Sequence, residues 1–368
     1  MADRVLPTFK RPDTARRKRI TTRLLEWYRA EARDLPWRRT NDPYAIWISE
    51  AMLQQTRVET VIDYWRRFLE RLPTVEDLAS AEEDVVLALW SGLGYYRRAR
   101  SLHAAARRIV HEHDGRFPSD PEAAAELPGV GPYTVGAVLS IAYDVSLPLV
   151  DGNVERVFSR LFAIEAAAAS PGLKRASWEL AELFVPTERA GEWNQALMEL
   201  GAVVCTPRAP RCLLCPLSRS CAARKTGDPE SLPRPKKKPE TVDVALEILV
   251  VEGPEGWLLE RRPDDGRMAG MWQFPTREVE APGGGISGLF PDSWPEGAGL
   301  EAAADLFEIR HGITRHRIRA RVRRGSVGPL AESWEWFQPS EADDLALTGM
   351  ARKVRSRLQG SAAGADGP

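Results

Sequence analysis

The sequence predicts a multidomain protein in which an all-α domain precedes an α+β domain. From about residue 20 to residue 221 the apolar residues recur at helical spacing, whereas beyond residue 240 they alternate with a period of two. The stretch between these regions, RKTGDPESLPRPKKKPE, contains four prolines and a lysine triplet and is typical of a linker.

Length and charge narrow the class of protein. The 368 residues are room for two or three domains. No apolar run approaches the roughly 20 residues that span a bilayer, and the basic N-terminus lacks the apolar segment of a secretory signal, so we expect a cytoplasmic protein with no membrane partner. Residues 1–238 carry 36 Lys and Arg against 31 Asp and Glu (+5), and residues 239–368 carry 15 against 21 (−6). The basic part favours a polyanionic partner.

The first part of the chain is expected to be helical. Residues 1–19 predict a flexible basic arm, residues 20–223 the all-α domain and residues 224–240 the linker. The first helix opens at Ile20, and Asp42-Pro43 starts another, with Asp as the cap and Pro in the first turn. Further helices are expected at 83–91, 97–113, 121–127, 133–143, 153–164, 173–184 and 192–203.

The second domain is assigned to residues 241–357. Residues 242–252 and 256–263 predict a β-hairpin, and residues 341–357 a closing helix before a disordered tail at 358–368. In residues 315–324 every second side chain is arginine, so these cations share one strand face. That face either holds phosphates or is simply solvated.

Four cysteines lie close together near the end of the first domain. The gaps in Cys205–Cys212–Cys215–Cys221 are six, two and five residues, and prolines between them favour a compact loop that closes around a metal. Structural zinc also takes four thiolates, but usually in two pairs each spaced by two residues. The spacing disfavours unrelated buried cysteines and leaves iron–sulfur and zinc open.

A glycine-rich hairpin lies between two predicted helices in Leu127–Thr134, LPGVGPYT. Gly129 and Gly131 allow positive φ, so that backbone N–H groups can point outward at the start of the next helix. Such a turn can bind a phosphate of the DNA backbone without contacting the bases. The alternative is an ordinary helix–helix turn.

Two carboxylates are candidates for acid–base chemistry. Glu50 falls on the apolar stripe of its helix, where desolvation would raise its pKa and keep it protonated as a general acid; the alternative is a Glu at the edge of the stripe that reaches solvent. Asp151 lies just before a helix, where N–H bonds and the helix dipole would hold it ionised, or where it is only a helix cap. An acid paired with an anion is the arrangement that cleaves glycosidic bonds.

These segments together resemble the adenine DNA glycosylases (MutY family) of the helix-hairpin-helix superfamily. The resemblance covers about residues 20–357 and is carried by LPWR (35–38), DPYAIWISEAMLQQTRVETV (42–61), LWSGLGYYRRAR (89–100), LPGVGPYTVGAV (127–138), VDGNVERV (150–157), NQALMELGAVVC (194–205) and the four cysteines. It implies a monomeric DNA repair enzyme that removes adenine opposite 8-oxoguanine or guanine in double-stranded DNA.

By position, the resemblance assigns the two carboxylates distinct roles. Glu50 matches the acid that protonates the departing adenine, and Asp151 matches the carboxylate that stabilises the sugar cation or adds to it. Tyr133 and Asn153 match residues beside the scissile sugar. The related endonuclease III family has a nucleophilic lysine where this chain has Tyr133, so the resemblance implies a glycosylase without lyase activity.

Other positions match residues that bind the DNA. Arg38 and Gln195 match positions that line the adenine pocket. Leu53, Gln55 and Tyr95 match residues that enter the base stack, although core packing is the alternative for Leu53 and Tyr95. The four cysteines match ligands of one 4Fe-4S cluster per chain, which favours iron–sulfur over zinc.

The second domain resembles the MutT-like (Nudix) fold through residues 260–280. A Nudix hydrolase needs a metal-binding run of the type REx2E, and no such run follows residue 285, so a DNA-reading role is expected. Where the glycosylase family has a Phe-Ser-His loop that contacts 8-oxoguanine, this chain has Ile313, Thr314 and Arg315. The Thr314 hydroxyl can still hydrogen-bond the lesion.

Two other functions remain open at this stage. One is a bifunctional glycosylase and lyase for pyrimidine lesions, and the other is a lesion-binding protein with a structural metal and no catalytic activity.

Overall fold

A computed structural model of the chain describes residues 9–236, 240–264, 266–281, 285–294, 299–328 and 333–362. Within these ranges the helices are α1 (Thr14–Glu31), α2 (Pro43–Leu53), α3 (Val58–Arg71), α4 (Val75–Ser80), α5 (Glu83–Trp90), α6 (Arg97–Glu112), α7 (Pro121–Ala125), α8 (Pro132–Tyr143), α9 (Gly152–Phe162), α10 (Pro171–Phe184), α11 (Ala190–Val203), α12 (Ala222–Thr226) and α13 (Gly349–Ala362). The strands are β1 (Val242–Gly253), β2 (Gly256–Arg261), β3 (Trp272–Gln273), β4 (Thr276–Val279), β5 (Glu301–Ile313), β6 (His316–Ser326) and β7 (Trp334–Phe337).

The described chain divides into two compact units. The first holds residues 9–79 and 104–236, and the second holds residues 80–103 and 240–362. Within the second unit, the Ser91 hydroxyl donates to the carbonyl of Leu347 at 2.7 Å, and Arg261 lies 3.3 Å from Asp84. Helix α5, which follows the helical pattern of the first part of the sequence, is thus grouped with the C-terminal residues.

The first unit is all-α and begins earlier than its apolar pattern predicts. The arm predicted for residues 1–19 already becomes helical at Thr14, because the Asp13 side chain accepts a hydrogen bond from the N–H of Arg16 at 2.7 Å and caps the helix. Ile20 and Leu24 of α1 are buried in a core shared with α9, α10 and α11. Helix α2 starts as predicted, with Asp42 as its cap and Pro43 in its first turn.

Part of the predicted linker is also ordered. Helix α12 extends to Thr226 and a 3-10 turn covers Pro229–Ser231. Leu232 is buried, and the Arg160 guanidinium donates to its carbonyl at 2.8 Å. These contacts hold the first half of the segment against the first unit, so the prediction of a free linker is wrong there.

The second unit contains a mixed sheet with helix α13. The main strand order is β3-β2-β1-β6-β5, β4 pairs with β1 and β7 with β2, and β1 runs parallel to β6. The β1–β2 hairpin is antiparallel as predicted. A 3-10 turn occupies Glu341–Asp343, so the closing helix begins only at Gly349, and it continues past residue 357 because Leu358 packs against the core.

No helix among the described residues combines the length and the apolar character that crossing a membrane requires.

Candidate active site

A cavity of about 460 Å³ in the first unit is lined by half of the predicted site residues. Both carboxylates line it, together with the other first-unit residues that the sequence placed at the sugar, the adenine pocket and the base stack: Glu50, Asp151, Tyr133, Asn153, Arg38, Gln195, Leu53 and Gln55. These residues come from separate segments between α1 and α11, so the fold brings them together from across the chain.

Glu50 is a buried acid on α2. It is only 4% exposed, and burial raises its pKa to about 7, with the nearby charge of Asp151 adding to the rise. The Tyr133 hydroxyl donates to Glu50 Oε2 at 2.5 Å, and this bond and the positive charge of Arg38 oppose the rise. The structure thus confirms the sequence prediction that burial raises the pKa of Glu50.

Tyr133 lies in the first turn of α8, directly after the glycine-rich hairpin. Burial, together with the charges of Glu50 and Asp151, raises its pKa well above the ordinary value. The phenol therefore keeps its proton, donates to Glu50 and lies 3.4 Å from the Met198 sulfur. Its role in this geometry is to fix the orientation of the Glu50 carboxyl group.

Asp151 caps α9 and faces the same cavity. Its carboxylate accepts hydrogen bonds from the N–H of Val154 and from the Asn153 side-chain amide, both at 2.7 Å. Burial nevertheless raises its pKa, against these bonds and the charge of Arg156. The prediction of a lowered pKa is therefore wrong in direction, because the desolvation of the cavity outweighs the cap.

One wall of the cavity is built around Glu199 of α11, which the sequence pattern did not predict as a site residue. Arg33 and Arg38 donate to its carboxylate at 2.8 and 2.9 Å. The Tyr28 hydroxyl donates to Gln195 Oε1 at 3.3 Å, and the Arg38 guanidinium lies 5.4 Å from the centre of the Tyr28 ring. A carboxylate amid the apolar residues of α11, four residues after Gln195, was the available signal.

The residues expected to enter the base stack lie in both units. Leu53 ends α2, and Gln55 follows two residues later, exposed and with a φ of 61°. A side chain held at positive φ is strained, which is common at binding sites. Tyr95 belongs to the second unit; it is 52% exposed and also has positive φ, at 50°. Its exposure argues against the alternative of core packing.

The hairpin before α8 uses one positive-φ glycine. Gly129 has a φ of 76°, whereas Gly131 is extended at −96° and precedes α8 as its cap. The expectation of positive φ at both glycines is wrong for Gly131, because a helix cap takes extended backbone. Apart from its chain neighbours, no described residue has an atom within 4 Å of the position that a Cβ of Gly131 would occupy, so the helix start is open there.

The four cysteines are free thiols, half-buried in the loop between α11 and α12. Arg160 is almost fully buried and donates to the Cys205 sulfur at 3.4 Å, and its other side-chain hydrogen bonds to described residues all go to carbonyl oxygens. A buried guanidinium without a carboxylate in the described chain fits an anionic group bound by thiolates. The thiols themselves do not converge, since no three His, Cys, Asp or Glu side chains of the described residues are placed to hold a metal ion.

A chain of hydrogen bonds links this loop to the cavity. Arg156 donates from Nε to the carbonyl of Cys205 and from Nη2 to Asn153 Oδ1, both at 2.8 Å. The Asn153 amide in turn donates to Asp151 at 2.7 Å. The position of the cysteine loop and the orientation of Asp151 therefore depend on each other.

Thr314 lies in the turn between β5 and β6, exposed and with a φ of 51°. The arginines of β6 alternate with buried residues as predicted, but several form ion pairs: Arg317 with Asp243 at 3.2 Å and Arg323 with Glu247 at 2.8 Å. These partners favour a solvated, paired strand face over a phosphate-binding one.

Comparisons with known proteins agree with this architecture. Residues 48–183 match the family described as HhH-GPD superfamily base excision DNA repair protein, and residues 248–357 match the NUDIX domain family. An adenine DNA glycosylase from Buchnera aphidicola (Schizaphis graminum) is 35% identical over 258 residues, covering 70% of this chain and 74% of the relative. The chain belongs to the adenine DNA glycosylase family.

One further relative and one solved structure are also similar to the chain. The adenine DNA glycosylase of Rattus norvegicus is 40% identical over 312 residues, which cover 71% of this chain. The chain spans about 60% of the length of that relative. Among solved structures, a thermostable thymine-DNA glycosylase covers 58% of the chain and 98% of its own length, with a TM-score of 0.52 and 30% identity.

Proposed function

We propose that the protein removes adenine opposite 8-oxoguanine or guanine from double-stranded DNA, by hydrolysing the N-glycosidic bond without lyase activity. The observation that carries the proposal is the buried Glu50, whose pKa burial raises to about 7, facing the same cavity as Asp151. Membership of the adenine DNA glycosylase family supports the choice of base. The protein would act in the cytoplasm, as a monomer on DNA.

The chemistry follows from the two carboxyl groups. The target adenine leaves the base stack and enters the cavity, because its reacting atoms are out of reach in the duplex. Glu50 gives its proton to the adenine ring while the bond from the sugar to the base breaks. The base leaves with the bonding electrons and the sugar becomes a cation. Asp151 stabilises that cation until water adds to it and releases a proton.

The remaining site residues bind the base and orient the two carboxyl groups. Tyr133 aims the Glu50 proton, and Asn153 holds the Asp151 carboxylate. Arg38 and Gln195 line the part of the cavity that would receive the base. Leu53 and Gln55 fill the space that the flipped adenine leaves, and Tyr95 of the second unit enters the base stack.

The positioning of the DNA uses two turns. The N–H groups around Gly129 and Gly131 bind a backbone phosphate at the start of α8. Thr314 donates or accepts a hydrogen bond at 8-oxoguanine.

Cys205, Cys212, Cys215 and Cys221 would hold the 4Fe-4S cluster, with the Arg160 guanidinium compensating its negative charge. When bound, the cluster cross-links the loop through four iron–sulfur bonds. Iron and sulfide analysis of the purified protein tests this assignment. Four irons and four sulfides per chain are expected from a 4Fe-4S cluster, whereas a single zinc without sulfide would refute it.

The Glu50→Gln variant tests the acid. Gln is close to Glu in size but has no proton to give, so binding to the mispaired duplex is expected to persist while base release falls at least about a hundredfold. Glu182→Gln, an exposed position on α10, is the matched control and should keep the wild-type rate. Unchanged turnover in Glu50→Gln would refute the assignment.

Two outcomes separate the alternatives. Covalent trapping of the enzyme on DNA by borohydride would indicate a lyase and contradict the monofunctional proposal. Tight binding to the mispair by the wild-type protein without any abasic product would indicate a lesion-binding protein.

A further inference from the structure

Glu199 is a fully buried carboxylate that holds two guanidiniums against one wall of the cavity. Arg33 donates from Nε to Oε1 and from Nη2 to Oε2, each at 2.8 Å, and its backbone N–H adds a bond at 3.0 Å. Arg38 donates to Oε2 at 2.9 Å and to the carbonyl of Arg33 at 3.0 Å. The wall thus carries two positive charges and one negative charge.

One charge on this wall, that of Arg38, acts directly on the acid. Burial would raise the pKa of Glu199, but the hydrogen bonds from Arg33 and Arg38 outweigh it and lower the pKa to about 2, so Glu199 stays ionised. The charge of Arg38 lowers the pKa of Glu50, against burial and Asp151. The charged and titratable groups around Glu50 in this cavity are Tyr133 from α8, Asp151 from the cap of α9, Arg33 and Arg38 from the segment before α2, and Glu199 from α11.

We propose that Glu199 is a positioning residue that offsets part of the positive charge of Arg33 and Arg38 and thereby lets Glu50 keep its proton beside them. This inference rests on the proposed function, because it takes Glu50 as the acid. Removing the charge of Glu199 leaves two uncompensated guanidiniums and favours ionised Glu50, whereas removing the charge of Arg33 has the opposite effect. The two substitutions are therefore expected to shift the pKa of Glu50 in opposite directions.

Single-turnover adenine release from about pH 5 to about pH 9 tests this. In Glu199→Gln the pH at which the rate falls by half is expected to move down by about one unit, and in Arg33→Gln it is expected to move up. On the alkaline side Glu199→Gln then loses about tenfold in rate. If the two residues only pack the cavity wall, both variants would be slower than the wild type, but the pH at which the rate falls by half would not change.

Controls separate charge from folding. Glu192→Gln, on the same helix and paired at the surface with Arg29 at 2.6 Å, should keep the wild-type profile. Should Glu199→Gln fail to fold, the double variant Arg33→Gln/Glu199→Gln restores the net charge of the wall. Its rate is expected to fall by half at the same pH as that of the wild type. The inference would be overturned if the pH at which the rate falls by half stayed the same in both single variants, or moved in the same direction in both. A wild-type protein that releases no adenine would instead overturn the proposed function.

A second, independent observation concerns a basic cavity of about 510 Å³ between α1 and α12. Its charged lining residues are all cationic: Arg16, Arg19, Arg23, Arg219 and Lys225. Within the described ranges none of these five forms an ion pair, whereas Arg11 and Arg29 in and near the same helix pair with Glu179 and Glu192.

The cavity is partly preorganised for an anion. Arg16, Arg19 and Arg23 are spaced by three and four residues and so share one face of α1. Arg16 is fixed by a hydrogen bond to the carbonyl of Ser220 at 3.1 Å and lies 5.0 Å from the centre of the Phe162 ring. Like charges held together without acids are stabilised by a bound anion, and guanidinium forks match phosphate geometry.

The geometry points to this basic cavity as a binding site for a phosphate of the DNA backbone, away from the catalytic cavity. Affinity for a long undamaged duplex at several salt concentrations tests it. In Arg19→Gln the slope of log Kd against log salt is expected to fall by about 0.9 for each phosphate that the variant no longer neutralises. The triple variant Arg19→Gln/Arg23→Gln/Lys225→Gln should show a larger fall.

Lys18→Gln is the matched control for Arg19→Gln. Lys18 is exposed on the other side of α1, and the substitution removes the same single positive charge. Its salt slope should equal that of the wild type. Equal slopes for the triple variant and the wild type would overturn the inference. So would variants that lose affinity for inorganic phosphate alone, since the site would then take the free ion.

Discussion

At the scale of single residues, the proposed chemistry depends on how burial and charge set the protonation of Glu50. Its position on an apolar stripe was visible in the sequence, and so was the direction of its pKa. The direction for Asp151 was not, because a helix cap can be recognised locally whereas cavity desolvation depends on the tertiary structure. Glu199 was missed for a similar reason, since Arg33 and Arg38 lie more than 160 residues away along the chain.

The raised pKa of Glu50 predicts a cost in stability that rises with pH. The pKa is about 7 in the folded state against 4.5 for the free group, so ionisation destabilises the fold progressively between these values, and the cost is fully present above the folded pKa. Glu50→Gln removes this cost. The variant should be more stable than wild type at pH 8 by up to about 3 kcal/mol, and the difference should shrink towards pH 4.

Denaturant unfolding of both proteins at pH 8 and pH 5 measures this difference. A variant that is equally or less stable at pH 8 would contradict the burial of an ionisable Glu50. Such a result would also weaken its assignment as the acid.

At the scale of elements, the start of α9 couples the cysteine loop to the cavity. Asp151 caps this helix, and Arg156 from its second turn reaches both Asn153 and the carbonyl of Cys205. The spacing of the cysteines predicted a closed loop, and the sequence Asp-Gly-Asn predicted the cap. The bond between Arg156 and Cys205 could not be predicted, because it spans 49 residues and depends on how α9 packs.

Arg156→Gln is expected to loosen Asn153 and, through it, the Asp151 carboxylate. By analogy with other outer contacts of a reactive site, the single-turnover rate should fall by about tenfold or more. Arg175→Gln, exposed on α10, removes the same charge from a position outside the site and serves as the control. Equal rates for Arg156→Gln and wild type would show that the link does not orient Asp151.

At the scale of the whole molecule, the two units carry different proposed tasks. The helical first part and the α+β second part followed from the change of period near residue 240, whereas the parallel pairing of β1 with β6 did not. The grouping of residues 80–103 with the C-terminal unit did not, because the local helical pattern carries no information about long-range partners such as Ser91 and Leu347. Base removal is assigned to the first unit, and recognition of the opposite base to Thr314 in the second.

Thr314→Val tests that division of tasks. Valine keeps the β-branched shape and removes the hydroxyl, so affinity for 8-oxoguanine-containing duplexes should fall by a few-fold, the value of one hydrogen bond. Adenine release from duplexes with guanine opposite should stay unchanged, as measured under single-turnover conditions. An equal loss on both duplexes would indicate a general binding defect instead of lesion recognition.

Hydrolysis of the bond between adenine and its sugar, with Glu50 as the acid, is the reaction on which the other assignments depend. The most direct test is single-turnover release from a duplex with adenine opposite 8-oxoguanine, read out as strand cleavage with and without alkali. We expect alkali-dependent cleavage at the adenine in the wild-type protein and none in Glu50→Gln. Cleavage without alkali, or the same cleavage in both proteins, would contradict this mechanism.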